Sequence, residues 1–418
     1  MRIALGENSR MALNTVREHK LRSALTVLGI VIGITALIAV ASILVGLDRD
    51  VRVYLDDYGT DTLFVFKFTP GIQTGRLSTE ERMRKPLTAD DALAIRDAAP
   101  AVRTVVAEVF PRILGGFRQV PSARYRGREV FGLEHTGAWP SYEQVYNAHI
   151  AQGRFFTDAE DLHRADVVVI GYDLAEGLFA FEDPIGKSIL VNGISYQVVG
   201  VLKKRKGQFF RDDSADKVAV VPYATYRKHH PADDEHFIGA LANPGSKAAA
   251  EDQIREILRR RRRVPFDKPD NFGLSSSEQI ATQFRQFTGV IALVTVVVSS
   301  IGLLVGGVGV MNIMLMSVTE RTREIGVRKA IGARQRDIIY QFLVEAMTLT
   351  AVGGVIGVLF GVGISALIGK IAPSVPSVVP LWAVVVGVAT SASVGLFFGI
   401  YPAVRAARLD PVEALRYE

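Results

Sequence analysis

The sequence predicts an α-helical membrane protein with four transmembrane helices and a large mixed α/β extracytoplasmic domain inserted between helices 1 and 2. Two observations carry that expectation. Although 22% of the 418 residues are charged, long windows contain no charge at all, and windows of that length are what a bilayer span requires. Between Asp48 and Arg285 the 34 basic and 34 acidic residues cancel, so the whole formal charge of +6 belongs to the parts flanking the apolar runs. A pI near 9.4 with that distribution marks membrane topology rather than a nucleic-acid binder. With 49% apolar residues and no cysteine, disorder, collagen and disulfide-stapled miniproteins are excluded, and nothing follows about redox compartment.

The elements follow in chain order. A polar N-terminal segment, residues 1–24, precedes Leu25–Leu47, which is 23 residues without a charge. As a helix that run covers about 34 Å, enough for a hydrocarbon core of about 30 Å. A cleavable signal peptide is the rival reading, with Ala39-Val40-Ala41 imitating a cleavage site, but the preceding polar segment is long for one.

The external segment, residues 48–285, reads as mixed α and β. Residues 62–68, 166–170, 195–202 and 217–221 are short β-branched or aromatic runs bounded by turn residues. Thr88 followed by Asp90 and Asp91 opens a helix that stops before Pro100, and residues 248–263 form a second. Residues 288–318 are 31 uncharged residues, longer than a span needs, and the helix-compatible run 277–286 leads into them without Pro or Gly. One continuous helix rising from the external domain is therefore expected. A connection, residues 319–341, leads to a third span over 342–369, a short loop over 370–380, a fourth span over 381–404 with Pro402 near its end, and a tail over 405–418.

Lys and Arg orient these spans. Arg2, Arg10, Arg17, Lys20 and Arg22 precede the first; Arg321, Arg323, Arg328, Lys329, Arg334 and Arg336 lie in the 319–341 connection; Arg405, Arg408 and Arg416 lie in the tail. The 370–380 loop has only Lys370. The positive-inside bias places both termini and the 319–341 connection in the cytoplasm and the 48–285 domain outside.

Several motifs have bland explanations. Gly186-Lys187-Ser188 ends like a phosphate-cradling loop, but Phe181 stands where that loop needs a glycine; a turn before a type I′ hairpin at Asn192-Gly193 explains the segment better. Arg259 to Arg263 closes an external helix, where solvation and the helix C-terminus favour cations, with anionic headgroups the minor alternative. His229, His230 and His236 with Asp233 and Asp234 fit no metal-ligand spacing and read as an exposed polar turn. No nucleophile and base pattern stands out, so no catalytic residue, metal or directly bound cofactor is expected.

Glycines four apart are more telling: Gly29 and Gly33, Gly302 and Gly306, Gly353 with Gly357 and Gly361, Gly395 and Gly399. Each span thus presents a smooth stripe for close helix packing, in a bundle or an oligomer. Glu345, near the start of the third span, is an intramembrane carboxylate, and interhelical bonding, snorkelling and gating all remain open for it. In the 319–341 connection, Ile325, Val327 and Ile331 offer a small apolar ridge within charges of both signs. That suits docking in a groove of a soluble partner, or a membrane-surface loop.

The run Glu320, Arg321, Thr322, Arg323, Glu324, Ile325, Gly326, Val327, Arg328, Lys329 and onward to Ala333 resembles the signature of the FtsX/MacB-type ABC transporter permeases. Residues 21–33 and 402–418 resemble the same family, and residues 153–157, 183–189 and 198–201 resemble its MacB-like periplasmic core domain. The resemblance implies a dimeric permease, homo- or heteromeric, in the cell inner membrane. Each copy would dock through residues 320–329 on a cytoplasmic ABC ATPase that holds ATP and Mg, with a periplasmic adaptor among the partners. It implies mechanotransmission: nucleotide-driven closure moves the external domain to export a drug, peptide or lipid-linked substrate. Family members that carry their own ATPase have it ahead of the first span; only 24 residues stand there here, so a separate ATPase subunit is expected. A membrane sensor or a regulator of cell-wall hydrolases is the alternative role.

Overall fold

The computed structural model describes residues 20–68, 78–111, 121–180, 182–204, 216–372 and 375–416. Most of the expected 1–24 segment, Phe181 and the last two residues of the tail lie outside them. Two compact units are formed, Asp48–Phe287 and a helical unit built from the flanking sequence.

The first unit is a mixed sheet of twelve described strands. In chain order they are β1 (Thr62–Phe66), β2 (Val102–Phe110), β3 (Ser122–Tyr125), β4 (Arg128–Phe131), β5 (Glu134–Ala138), β6 (Ile150–Gly153), β7 (Val167–Ile170), β8 (Ser188–Val191), β9 (Ile194–Leu202), β10 (Val218–Pro222), β11 (Glu235–Ala242) and β12 (Gly273–Ser276). The order across the sheet is β12-β1-β11-β2-β5-β10-β7-β9-β8-β3-β4, with β6 on β9. Pairing is antiparallel except for β5 with β10 and β7 with β9.

Helices Ala89–Ala98 and Lys247–Arg261 cover one face of the β1, β2 and β11 region. They bury Ala92, Ile95, Ile254 and Leu258 against Leu63, Val65, Val105 and Ile238. Burial of each large aliphatic contributes about 1.5–3 kcal/mol. A second core forms where Leu174 and Leu178 of helix Tyr172–Phe179 meet Val168, Ile170, Val198 and Val221.

Local chemistry sets these elements. Thr88 caps its helix as expected, its hydroxyl accepting from the Asp91 N–H while the Asp91 carboxylate accepts from the Thr88 N–H. Asn192 and Gly193 adopt φ of 50° and 84°, the two left-handed positions that a type I′ hairpin between β8 and β9 needs. The arginine run closes its helix, with Arg260, Arg261 and Arg263 exposed, and it also makes specific ion pairs and hydrogen bonds. Arg259 lies 2.5 Å from Asp270, Arg261 lies 3.0 Å from Asp91, and Arg262 is buried and donates to Asn271. These contacts staple the helix end to helix Ala89–Ala98 and to the loop that follows the run, and burial lowers the Arg262 pKa.

The helical unit draws on four long apolar helices: Lys20–Asp57, Ser277–Glu320, Gln335–Ile371 and Leu381–Arg408. At most 33% of the most apolar window of any of them is buried within the chain, so most of their apolar surface faces outward, as lipid-solvated helices do. The second helix is unbroken for 44 residues, about 66 Å. The fourth continues through Pro402 for six residues.

Candidate functional site

The connection between the second and third membrane helices folds into a short helix, Thr322–Ala330. The second helix breaks at Arg321, where φ is −102° and ψ is 17°. The Thr322 hydroxyl stitches the break, donating to the carbonyls of Val318 and Thr319 at 3.0 and 2.8 Å. The third helix then begins at Gln335, where the Asp337 carboxylate accepts from the Arg334 N–H.

Helical spacing divides the motif into two faces. Inward, Ile325 is 2% exposed and joins Ile338, Phe342 and Ala406 in the membrane-unit core. A Cβ on Gly326 would come within 2.8 Å of the Ala414 methyl, so the glycine permits close approach of the tail helix Pro411–Arg416. Arg321 pairs with Glu345 at 3.3 Å, Arg328 donates to the Gln341 side chain at 2.8 Å, and Lys329 donates to the Leu409 carbonyl at 2.6 Å. Glu345 is therefore an interhelical ion-pair partner, 4% exposed.

Outward on this helix stand Arg323, Glu324 and Val327, at steps of three and four residues that make one helical stripe, with exposed Glu320 just before the break and Ile331 just beyond the helix. The expected apolar ridge is corrected in one member. Ile325 is buried because the stripe with period 3.6 that holds Thr322, Ile325 and Gly326 faces the bundle, leaving only Val327 and Ile331 as the exposed apolar pair. Gln341 and Leu409 escaped sequence reasoning. A signal existed for Gln341, a polar residue one helical turn before Glu345 and hence on the same face.

The glycine stripes are used inside the bundle. Gly29 meets Gly306 and Gly302, and Gly33 packs on Leu303 and Ser299. Ile30, Ile34 and Ile38 of the first helix sit over Gly353, Gly357 and Gly361 of the third, while Gly395 and Gly399 of the fourth helix accept Thr350 and Ala346. Outside the membrane unit, His229 lies 3.1 Å from Asp166, and His236 contacts the Tyr223 hydroxyl at 2.8 Å. The histidines and Asp233 and Asp234 do not converge: among the described residues no group of three or more His, Asp or Glu could hold a metal ion.

Residues 23–257 match the family described as MacB-like periplasmic core domain, and residues 287–411 match FtsX-like permease C-terminal. A Bacillus subtilis (strain 168) protein named as an uncharacterized ABC transporter permease, YknZ, is 33% identical over 100% of both chains. The chain belongs to the MacB/FtsX-type ABC transporter permeases.

Neither matched region of this permease is a nucleotide-binding domain. A Bdellovibrio bacteriovorus protein named macrolide export ATP-binding/permease protein MacB is 33% identical over 99% of the chain, which spans 62% of that relative's length. The crystal structure of the periplasmic region of MacB from Actinobacillus actinomycetemcomitans is similar over 55% of this chain and 95% of its own, with 18% identity and a TM-score of 0.44. Four long apolar helices in a MacB/FtsX-type permease make the chain a multi-pass membrane protein.

Proposed function

We propose that this permease is driven by a separate cytoplasmic ABC ATPase that grips the outward face of the Thr322–Ala330 helix. The observation that carries the reading is the division of the motif. Arg321, Ile325, Gly326, Arg328 and Lys329 anchor the helix to the third membrane helix and the tail, while Glu320, Arg323, Glu324 and Val327 face away from the bundle. A charged stripe with a small apolar centre fits a groove on a soluble partner. A force applied to it passes into the third and fourth helices through charge-assisted bonds rather than being lost in a loose loop.

In this reading both termini are cytoplasmic, the protein lies in the cell inner membrane, and two copies, identical or not, work together. ATP and Mg are held by the ATPase pair. Its closure drives the two short helices together, and the unbroken second helix carries the movement to the external domain as mechanotransmission. The cargo class is a drug, peptide or lipid-linked molecule, with a periplasmic adaptor as a further partner; the relative named for macrolide export supports the efflux setting.

Arg323→Glu with Glu324→Lys reverses the outward charges; it removes the exposed Glu324–Arg328 pair but leaves the Arg321–Glu345 and Lys329–Leu409 contacts in place. Stoichiometric co-purification of an ABC ATPase with the native chain, lost in the double variant while membrane insertion is unchanged, is the expected result. Equal recovery of the ATPase with both proteins would overturn the docking assignment.

A further inference from the structure

The second membrane helix, Ser277–Glu320, uses one side for its own bundle. Gly302 and Gly306 meet Gly29, Gly33 and Ile30 of the first helix, and Gly307 lies against the Phe398 ring of the fourth. Another side stays bare: Val294, Val298, Ile301, Val305, Val308 and Asn312 are all exposed, the apolar five at 44–66%. Their spacing alternates between four and three residues throughout. That is the 3.5-residue repeat by which two helices keep one seam in contact, with positions 298, 305 and 312 at the first core site of successive heptads and 294, 301 and 308 at the second.

Apolar side chains at that spacing suit lipid as well as a partner helix, so the sixth member decides. Asn312 lies inside the charge-free run 288–318, eight residues before Glu320 and about 12 Å from it along the helix. Exposed Ser300 and Ser393 satisfy themselves, donating to the Val296 and Ala389 carbonyls one turn earlier at 2.7 and 2.8 Å. Among the described residues no hydrogen bond reaches the Asn312 amide. An unpaired amide facing hydrocarbon is unfavourable, and polar side chains on membrane helices bond across to a neighbouring helix. An amide carries both donors and an acceptor, so two of them related by a two-fold axis satisfy each other. A single asparagine at a first core site also fixes the register of a parallel pair, and two chains inserted in the same sense present parallel helices.

We propose that a second copy of this chain packs on this face, the two second helices forming a parallel, left-handed pair along 294–312 with their Asn312 amides hydrogen-bonded to each other. The inference rests on the two-copy reading above and adds to it the surface and the residue that sets the register. It does not involve the ATPase.

Single cysteines replacing Ile301, Val305 or Val308, with Val296, Ser300 and Leu304 as flanking controls, are oxidised by copper phenanthroline in membranes holding the otherwise cysteine-free full chain. Asn312 is kept in all six variants. Covalent homodimer at 301, 305 and 308, at least fivefold above 296, 300 and 304, is the expected result. Copies per particle are counted separately, by photobleaching of the fluorescently tagged native chain in nanodiscs, and two are expected. Two copies with cross-links equal at all six positions, strongest at the flanking ones or absent would overturn the seam and leave the two-copy reading standing; one copy per particle would overturn both. Asn312→Val keeps a β-branched side chain in the seam and removes the amide. It should raise the dissociation constant of the pair at least threefold, read by energy transfer between labelled copies on dilution into lipid vesicles, and an unchanged constant would overturn the paired amides.

Discussion

The guanidinium of Arg321 lies 3.3 Å from the carboxylate of Glu345, joining the break after the second membrane helix to the first turns of the third. Glu345 is 4% exposed, so removing it takes a buried counter-ion away from the Arg321 guanidinium. Glu345→Ala is expected to lower stability by roughly 2–4 kcal/mol, read as a fall in melting temperature in detergent. The Glu324 and Arg328 pair, nearly half exposed at the glutamate, is the contrast: Glu324→Ala should cost only about 0.3–0.5 kcal/mol.

Two glycines of the third helix should behave oppositely. A Cβ at Gly357 would sit 2.9 Å from the Ile34 Cβ and 3.1 Å from the Val31 carbonyl, whereas one at Gly363 meets nothing within 4 Å. Gly357→Ala is expected to destabilise by about 1–3 kcal/mol through forced separation of the helices. Gly363→Ala should be neutral or gain up to about 1 kcal/mol from helix propensity. Thermal unfolding of both variants in one detergent separates them.

Asp91 serves both as the acceptor that completes the Thr88 cap and as the counter-ion of Arg261, 3.0 Å away, and of buried Arg262. Asp91→Ala should therefore cost about 2–4 kcal/mol, more than a lost cap alone. Asp91→Asn retains an oxygen acceptor for the cap and should fall between. Hydrogen exchange in helices Ala89–Ala98 and Lys247–Arg261 would report the loss at both ends.

These pairings also mark how far sequence was legible. Four spans, the capped helix at Thr88 and the hairpin at Asn192-Gly193 could be read because each depends on local composition or backbone geometry. Strands β2 and β11 could not. Val105, Val106, Ala107, Glu108 and Val109 are all buried, so the alternation that betrays a strand disappears. At the connection, the motif residues were visible but not their division, since which side of a nine-residue helix faces the bundle depends on Glu345, Gln341 and Ala414. The ion pairs of the arginine run were hidden for a similar reason: Asp91 lies 170 residues before Arg261, and Asp270 lies 11 after Arg259.

His135, on β5, is buried beside Tyr226 and His230, and its Nε2 has no hydrogen-bond partner. Burial, aided by His230 and His229, lowers its pKa to about 3 from an unfolded value of 6.5. Below pH 6.5 the unfolded chain binds a proton that the folded one refuses. Stability present above that pH is then lost as pH falls toward 3, at up to about 1.4 kcal/mol per pH unit. His135→Leu should flatten this slope, measured by denaturant unfolding of the external domain within the full chain between pH 7 and pH 4.

Because the native sequence has no cysteine, single-cysteine variants label one position only. Cysteines placed at Arg323, on the outward stripe, and at Thr322, on the buried face, should be compared in intact cells with a thiol-directed cross-linker and a membrane-impermeant blocking reagent. Cross-linking of position 323, but not 322, to an ABC ATPase, with no protection by the reagent added outside, is the expected result. Blocking of position 323 from the outer surface, or cross-linking to no ATPase, would contradict it.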